Sequence, residues 1–184
     1  AVAVVQEVTG DVSVKRESGE IPAKNNLALG EGDIVSTGAK SRAVVEFDGG
    51  NRIELREDAS LIIQKTGAQA TEIGAVVLGG SVRATSEGHG RKLVIGTPTG
   101  FAQVGDNAST LEVSADKGIS VLVGAIEVTT TDGQKKAVSA GSHMTLDGLV
   151  VPVSSISVEG VSVDVGTKKP TEMVLEPITI VLFS

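Results

Sequence analysis

The segment Gly32-Asp33-Ile34-Val35-Ser36-Thr37-Gly38, followed by Ser41-Arg42-Ala43-Val44-Val45-Glu46-Phe47-Asp48-Gly49-Gly50 and by Ile53-Glu54-Leu55, constrains the fold of this chain more than any other. Short runs of period-two alternation are separated there by turn residues. Alternation places Val44 and Glu46 on one face of a strand and Val45 and Phe47 on the other. Asp48-Gly49-Gly50 supplies the positive-φ residues of a tight reversal. A chain written this way folds as β-hairpins.

Composition agrees. The 184 residues are 40% hydrophobic but only 2% aromatic, with no Trp, no Tyr and three Phe, so Val, Ile, Leu and Ala must fill the interior. β-Branched side chains pack well on a pleated surface, and 23 glycines interrupt the sequence too often for long helices. A weak internal repeat points the same way. Gly10-Asp11-Val12-Ser13-Val14, Gly80-Ser81-Val82-Arg83-Ala84 and Gly124-Ala125-Ile126-Glu127-Val128 share a Gly-x-Val/Ile start, and each unit returns through basic residues towards Gly30, Gly96 or Gly141. The spacings of 70 and 44 residues are too irregular for a strict solenoid, yet such units cannot bury a face alone and must stack. The expected fold is all-β: a twisted β-solenoid-like stack or a two-sheet β-sandwich built from hairpins, with little or no helix.

The order of these motifs resembles the FecR domain family, whose pattern is a Gly-Asp-x-Ile-x-Thr-Gly opening, a Ser-x-Ala-x-Val-x-Phe strand, an Asp-Gly turn and an Ile-x-Leu strand. Asp58-Ala59-Ser60-Leu61-Ile62-Ile63, Gly80-Ser81-Val82, Thr97-Pro98-Thr99-Gly100-Phe101-Ala102-Gln103-Val104, Gly124 to Val128 and Ala140-Gly141 are similar to its later elements. One departure stands out: Val104-Gly105-Asp106-Asn107-Ala108-Ser109-Thr110 replaces the family's Val-x-Gly-Thr-x-Phe. The resemblance assigns residues 1–147 to a FecR-like β domain and 148–184 to a C-terminal extension. It also implies an extracytoplasmic setting, secreted, surface-bound or periplasmic. A start at Ala1-Val2-Ala3 fits a terminus left by signal removal, or an excised segment.

Several function classes find little support. A formal charge of -7 and 16 scattered basic residues argue against nucleic acid. The absence of cysteine removes thiolate nucleophiles, iron-sulfur clusters and Cys-based zinc sites. The longest apolar stretches, such as Ile73 to Val82, fall below the roughly 20 residues of a membrane-spanning helix. His89 and His143 read as solvated loop residues rather than as zinc ligands or catalytic bases. Glu57 and Asp58, if in a strand, point to opposite faces, while Glu46 and Asp48 share one. Gly105-Asp106-Asn107 is the better calcium candidate, still set below a plain turn. No catalytic residue, cofactor or metal site is expected.

The end of the chain is distinctive. Val158, Val161, Val163 and Val165 suggest a half-buried strand, Gly166-Thr167-Lys168-Lys169-Pro170 a linker, and Met173 to Ser184 an apolar terminal strand. Such a strand either covers its own sheet or pairs with a neighbouring subunit. The candidate contact residues are Val2, Val4 and Val5 at one end and Val174, Leu175, Ile178, Ile180, Leu182 and Phe183 at the other. Three readings follow. The favoured one is a structural subunit forming homo-oligomers or fibres through terminal strand pairing. The second is a sensor, because FecR proteins relay occupancy of an outer-membrane iron-siderophore receptor to a cytoplasmic sigma factor; the lack here of their sigma-binding helical region and membrane helix weighs against it. The third is a cell-wall or polysaccharide-binding module, disfavoured by the missing Trp and Tyr platforms.

Overall fold

The computed structural model describes residues 2–47, 50–66, 72–89, 92–98, 100–104 and 107–152. Among them the chain forms β1 (Ala3–Thr9), β2 (Val12–Arg16), β3 (Gly19–Pro22), β4 (Ala28–Leu29), β5 (Ile34–Thr37), β6 (Arg42–Phe47), β7 (Asn51–Leu55), β8 (Ser60–Thr66) and β9 (Glu72–Gly79). It continues through β10 (Ser81–Ser86), β11 (Lys92–Thr97), β12 (Gly100–Val104), β13 (Ser109–Ser114), β14 (Gly118–Val123), β15 (Ala125–Thr130), β16 (Lys135–Ser139), β17 (Ser142–Met144) and β18 (Val150–Pro152). These make two nine-stranded sheets. The first runs β18-β17-β14-β13-β10-β7-β6-β1-β4 and the second β16-β15-β12-β11-β9-β8-β5-β2-β3. The described part is thus all-β, a two-sheet sandwich without helix.

Period-two alternation decides which side chains enter the layer between the sheets. Leu111 and Val113 of β13 are buried while Thr110 and Glu112 face out, and in β8 Leu61 and Ile63 are buried while Ile62 is not. One hydrophobic cluster runs from Ala3 through Ile53, Leu61 and Leu93 to Met144, so both sheets share a single core. Each fully buried Leu, Ile or Val contributes roughly 1.5–3 kcal/mol of transfer free energy. Neighbouring strands pair antiparallel except β9 and β11, which run parallel because the chain visits the first sheet through β10 between them.

The weak repeat has a structural cause. Gly10, Gly80 and Gly124 each sit at one of the several points where the chain steps between sheets, here from β1 to β2, from β9 to β10 and from β14 to β15. Their φ angles are 80°, 72° and 78°, a left-handed conformation that L side chains rarely adopt. The unit that recurs is a corner, which explains why its spacing is irregular.

The Gly-Asp-x-Ile-x-Thr-Gly opening is likewise a set of local ties. The Asp33 carboxylate accepts from the Gly30 N–H at 2.9 Å and from Arg16 Nε at 3.1 Å, which closes the loop before β5 and fastens it to β2. Thr37 Oγ1 accepts from the Ala59 N–H at 2.9 Å and donates to the Arg56 carbonyl, so the motif's Thr holds the turn between β7 and β8. Asp33→Ala leaves the Gly30 N–H without its acceptor and the half-buried Arg16 guanidinium without its carboxylate, with only its bond to the Ala28 carbonyl remaining. A loss of about 2 kcal/mol is expected in urea unfolding at neutral pH.

Some sequence expectations change here. β1 is not a terminal edge: it lies between β4 and β6, with the Val2 and Val5 N–H groups donating to the Leu29 and Leu27 carbonyls at 2.9 Å each. Glu57 and Asp58 occupy a turn rather than a strand; Asp58 has φ 53° and Glu57 accepts from the Lys40 N–H at 2.9 Å. The first sheet continues through β18, past residue 147. Asp48, Gly105, Asp106 and the segment 173–184 lie outside the described residues.

Candidate functional site

The outward face of the first sheet carries the densest arrangement of charged groups. Cross-strand register aligns Glu7, Val44, Glu54, Arg83, Glu112, Ser120 and His143 in one row across β1, β6, β7, β10, β13, β14 and β17. Arg42 reaches into the row and pairs with both Glu7, at 2.6 Å, and Glu54. Glu112 is shared by Arg83 at 2.5 Å and Arg56 at 2.7 Å. Hydrogen bonds from the Arg42 guanidinium to Glu54 and Glu7 raise its pKa further above its ordinary value, so it stays charged. Exposed pairs of this kind contribute little to folding, each about 0–1 kcal/mol.

A depression of about 240 Å³ opens at the β1 end of this row. A bulge in β1, where the register with β6 shifts between Val5 and Glu7, breaks the pleat there. Val44 forms an apolar floor only 5% exposed, although alternation puts it on the outer face. Arg42, Arg52 and Arg83 surround it together with Glu7, Glu54, Gln6 and Thr85. Arg52 lies opposite Glu46 and Thr85 in register but forms no ion pair among the described residues. The lining is mixed in charge, with Arg42, Arg52 and Arg83 beside Glu7 and Glu54. Because Arg42 and Arg83 already give guanidinium donors to glutamates, Arg52 is the cation best placed to bind an incoming carboxylate through paired N–H donors.

His143 departs from the loop expectation. It sits on β17, half-buried, with Nδ1 2.5 Å from Ser120 Oγ and Nε2 2.8 Å from the Lys117 carbonyl. Since a carbonyl only accepts, Nε2 carries a proton, and in the neutral ring Nδ1 accepts from the Ser120 hydroxyl. The pair ties β17 to β14 and to the turn before it. His89 is exposed and contacts Glu87 at 3.0 Å. No group of three or more His, Asp or Glu placed to hold a metal occurs among the described residues. Of the calcium candidate only Asn107 is described, and its Oδ1 accepts from Ser109 Oγ at 2.8 Å and from the Ala125 N–H at 3.3 Å.

The sequence-predicted contact residues are not brought together as a free strand. Val5 is fully buried, Val4 pairs in register with Glu46 on one side and Ala28 on the other, and Val2 is partly buried against the core. Val174, Leu175, Ile178, Ile180, Leu182 and Phe183 lie outside the described residues. The arginine-ringed depression was missed because its members come from four strands. The sequence signal for it was the run of Arg and Glu at outward strand positions, Arg42, Arg52, Glu54 and Arg83.

Comparison with known proteins agrees with this architecture. The family model described as FecR protein matches residues 33–129. Among solved structures, two crystal structures of a candidate anti-sigma factor from Parabacteroides distasonis ATCC 8503 superpose with a TM-score of 0.52 at 14% identity, over 64% of this chain and 57% of that one. At that identity the likeness is one of fold, and the chain spans a little over half the length of that protein. No curated protein matches the sequence. No helix among the described residues is long and apolar enough to cross a membrane.

Proposed function

The chain belongs to the FecR family, and from that premise we propose that it is an extracytoplasmic signalling module that works by binding a protein partner on the outward face of its first sheet. The family match over 33–129 carries this reading. The fold neighbour described as an anti-sigma factor supports it, because the same architecture there accompanies a regulatory description. In this reading the sandwich is a rigid scaffold, and Arg52, beside Arg42 and Arg83 around Val44, receives a carboxylate from the partner. Partner occupancy is then relayed towards sigma-dependent transcription, the role the resemblance implies. The fibre reading has lost its support at one end, where β1 is engaged on both sides by its own chain.

Transcript profiling in the source organism tests the proposal. Deleting the gene is expected to change a defined set of sigma-dependent transcripts, and the double change Arg52→Glu, Arg83→Glu is expected to reproduce that pattern without lowering the melting temperature of the purified chain by more than a few degrees. An unchanged transcriptome accompanied by loss of surface fibres would return the chain to the structural class.

A further inference from the structure

The outward face of the second sheet has the opposite character, and it carries an inference that goes beyond the signalling role. One row crosses all nine strands in register: Glu20 (β3), Lys15 (β2), Ile34 (β5), Ile62 (β8), Val76 (β9), Gly96 (β11), Phe101 (β12), Thr129 (β15) and Lys135 (β16). Five successive positions, from Ile34 to Phe101, are free of polar side chains, and the charged residues stand only at the two ends. Phe101 is 49% exposed, and Leu78 beside this row is 52% exposed. A contiguous apolar stripe bordered by charges marks an interaction surface rather than ordinary scatter.

We propose that this face binds a second copy of the same chain, the two sheets packing face to face about a two-fold axis parallel to the strands and passing over Val76. The order of residues along the row selects this occupant. Such an axis pairs the first strand of one copy with the ninth of the other, the second with the eighth, and so on. Glu20 then faces Lys135 at both ends, Lys15 faces Thr129, and Ile34 packs on Phe101. Ile62 meets Gly96, the one position in the row without a side chain; a Cβ there would lie only 3.0 Å from Val76 Cγ2, so the gap is kept open within the sheet. Val76 packs on its own copy. The alternative two-fold, lying across the strands, sets Glu20 against Glu20 and Lys135 against Lys135, and like charges directly opposed are unfavourable.

Size is consistent with a reversible dimer. Strands spaced about 4.8 Å apart and about 17 Å long set an upper limit of roughly 650 Å² per copy, about 1,300 Å² in all, for a nine-stranded face, and sheet twist brings the contact below that limit, in the range of weak, reversible association. The arrangement also leaves the arginine-ringed face of the other sheet open to its own partner.

Sedimentation equilibrium of the full chain over about 1 µM to 1 mM tests the proposal through charge exchange. Glu20 and Lys135 are exposed on edge strands, so their replacement spares the core. Glu20→Lys and Lys135→Glu are each expected to weaken dimerisation about five- to tenfold, and the two together to restore it to within about twofold of the unaltered chain. Val76→Lys, which brings two ammonium groups together on the axis, is expected to leave only monomer. A chain that is monomeric across the whole range, a dimer indifferent to Val76→Lys, or single reversals that the double reversal does not rescue would each overturn the proposal.

Discussion

Gly124→Val is expected to cost about 4 kcal/mol or more, enough to unfold much of the chain at 37 °C. Two effects add. At φ 78° a β-branched residue is strained wherever it sits, and a Cβ at this corner would lie 2.2 Å from the Ala108 carbonyl oxygen, a backbone atom that cannot move without pulling β13 out of register. The three corners are predicted to rank by what the new atom meets. Gly80→Val follows closely, because its Cβ approaches the Asp58 carbonyl and the Ala59 backbone at 2.7 Å. Gly10→Val is mildest, since its nearest neighbour at 2.5 Å is the Ser41 hydroxyl, although displacing that group also disturbs its bond from the Asp11 N–H at 2.8 Å. Thermal unfolding followed by circular dichroism would establish the order; equal losses at all three would show that φ alone, and not the close backbone approach, sets the cost.

The second large effect separates two leucines that composition cannot tell apart. Leu61 is fully buried between Val35 and Val77 in register, and Leu61→Ala is expected to lose about 3 kcal/mol and about 6–12 °C in melting temperature. Leu78, 52% exposed on the outer face of the same sheet, should change stability by less than about 0.5 kcal/mol on the same substitution. A cost at Leu78 comparable to that at Leu61 would mean that the outer face of the second sheet is covered by its own chain.

These contrasts also mark how far the sequence could be read. Which residues face inward was legible wherever alternation was strict: Val45 and Phe47 are in the core as period two requires, and Glu46 is exposed. Val44 was legible as outward-facing but not as buried, because its cover comes from charged side chains on β1 and β7 and from a bulge that no local pattern announces. The Gly-x-Val repeat was visible, but its meaning as a sheet-to-sheet corner depends on what lies opposite each glycine. For Gly124 that is Ala108, and for Gly80 it is Ala59. The two outer faces were invisible for a related reason. The apolar row unites residues from Lys15 to Lys135, and its register passes through the parallel β9–β11 pair, which adjacent-hairpin reasoning does not supply. His143 was misplaced because Gly141 and Ser142 look like a turn, whereas pairing with β14 makes the segment a strand. Strand donation from the N-terminus was inferred from apolar content alone. Val5 shows why that is insufficient: a residue apolar enough to stick to a neighbour is equally suited to the core of its own sheet.

The view of this chain as a self-closed sandwich that offers its faces to partners is tested most directly by amide hydrogen exchange along β1, measured at several protein concentrations. With β4 and β6 paired on either side, the amides of Ala3–Thr9 that bond within the sheet should be protected as strongly as those of β6 and β7, and equally at low and high concentration. Fast exchange in β1 at low concentration that slows as the protein is concentrated would contradict the account and identify β1 as a strand completed by another molecule.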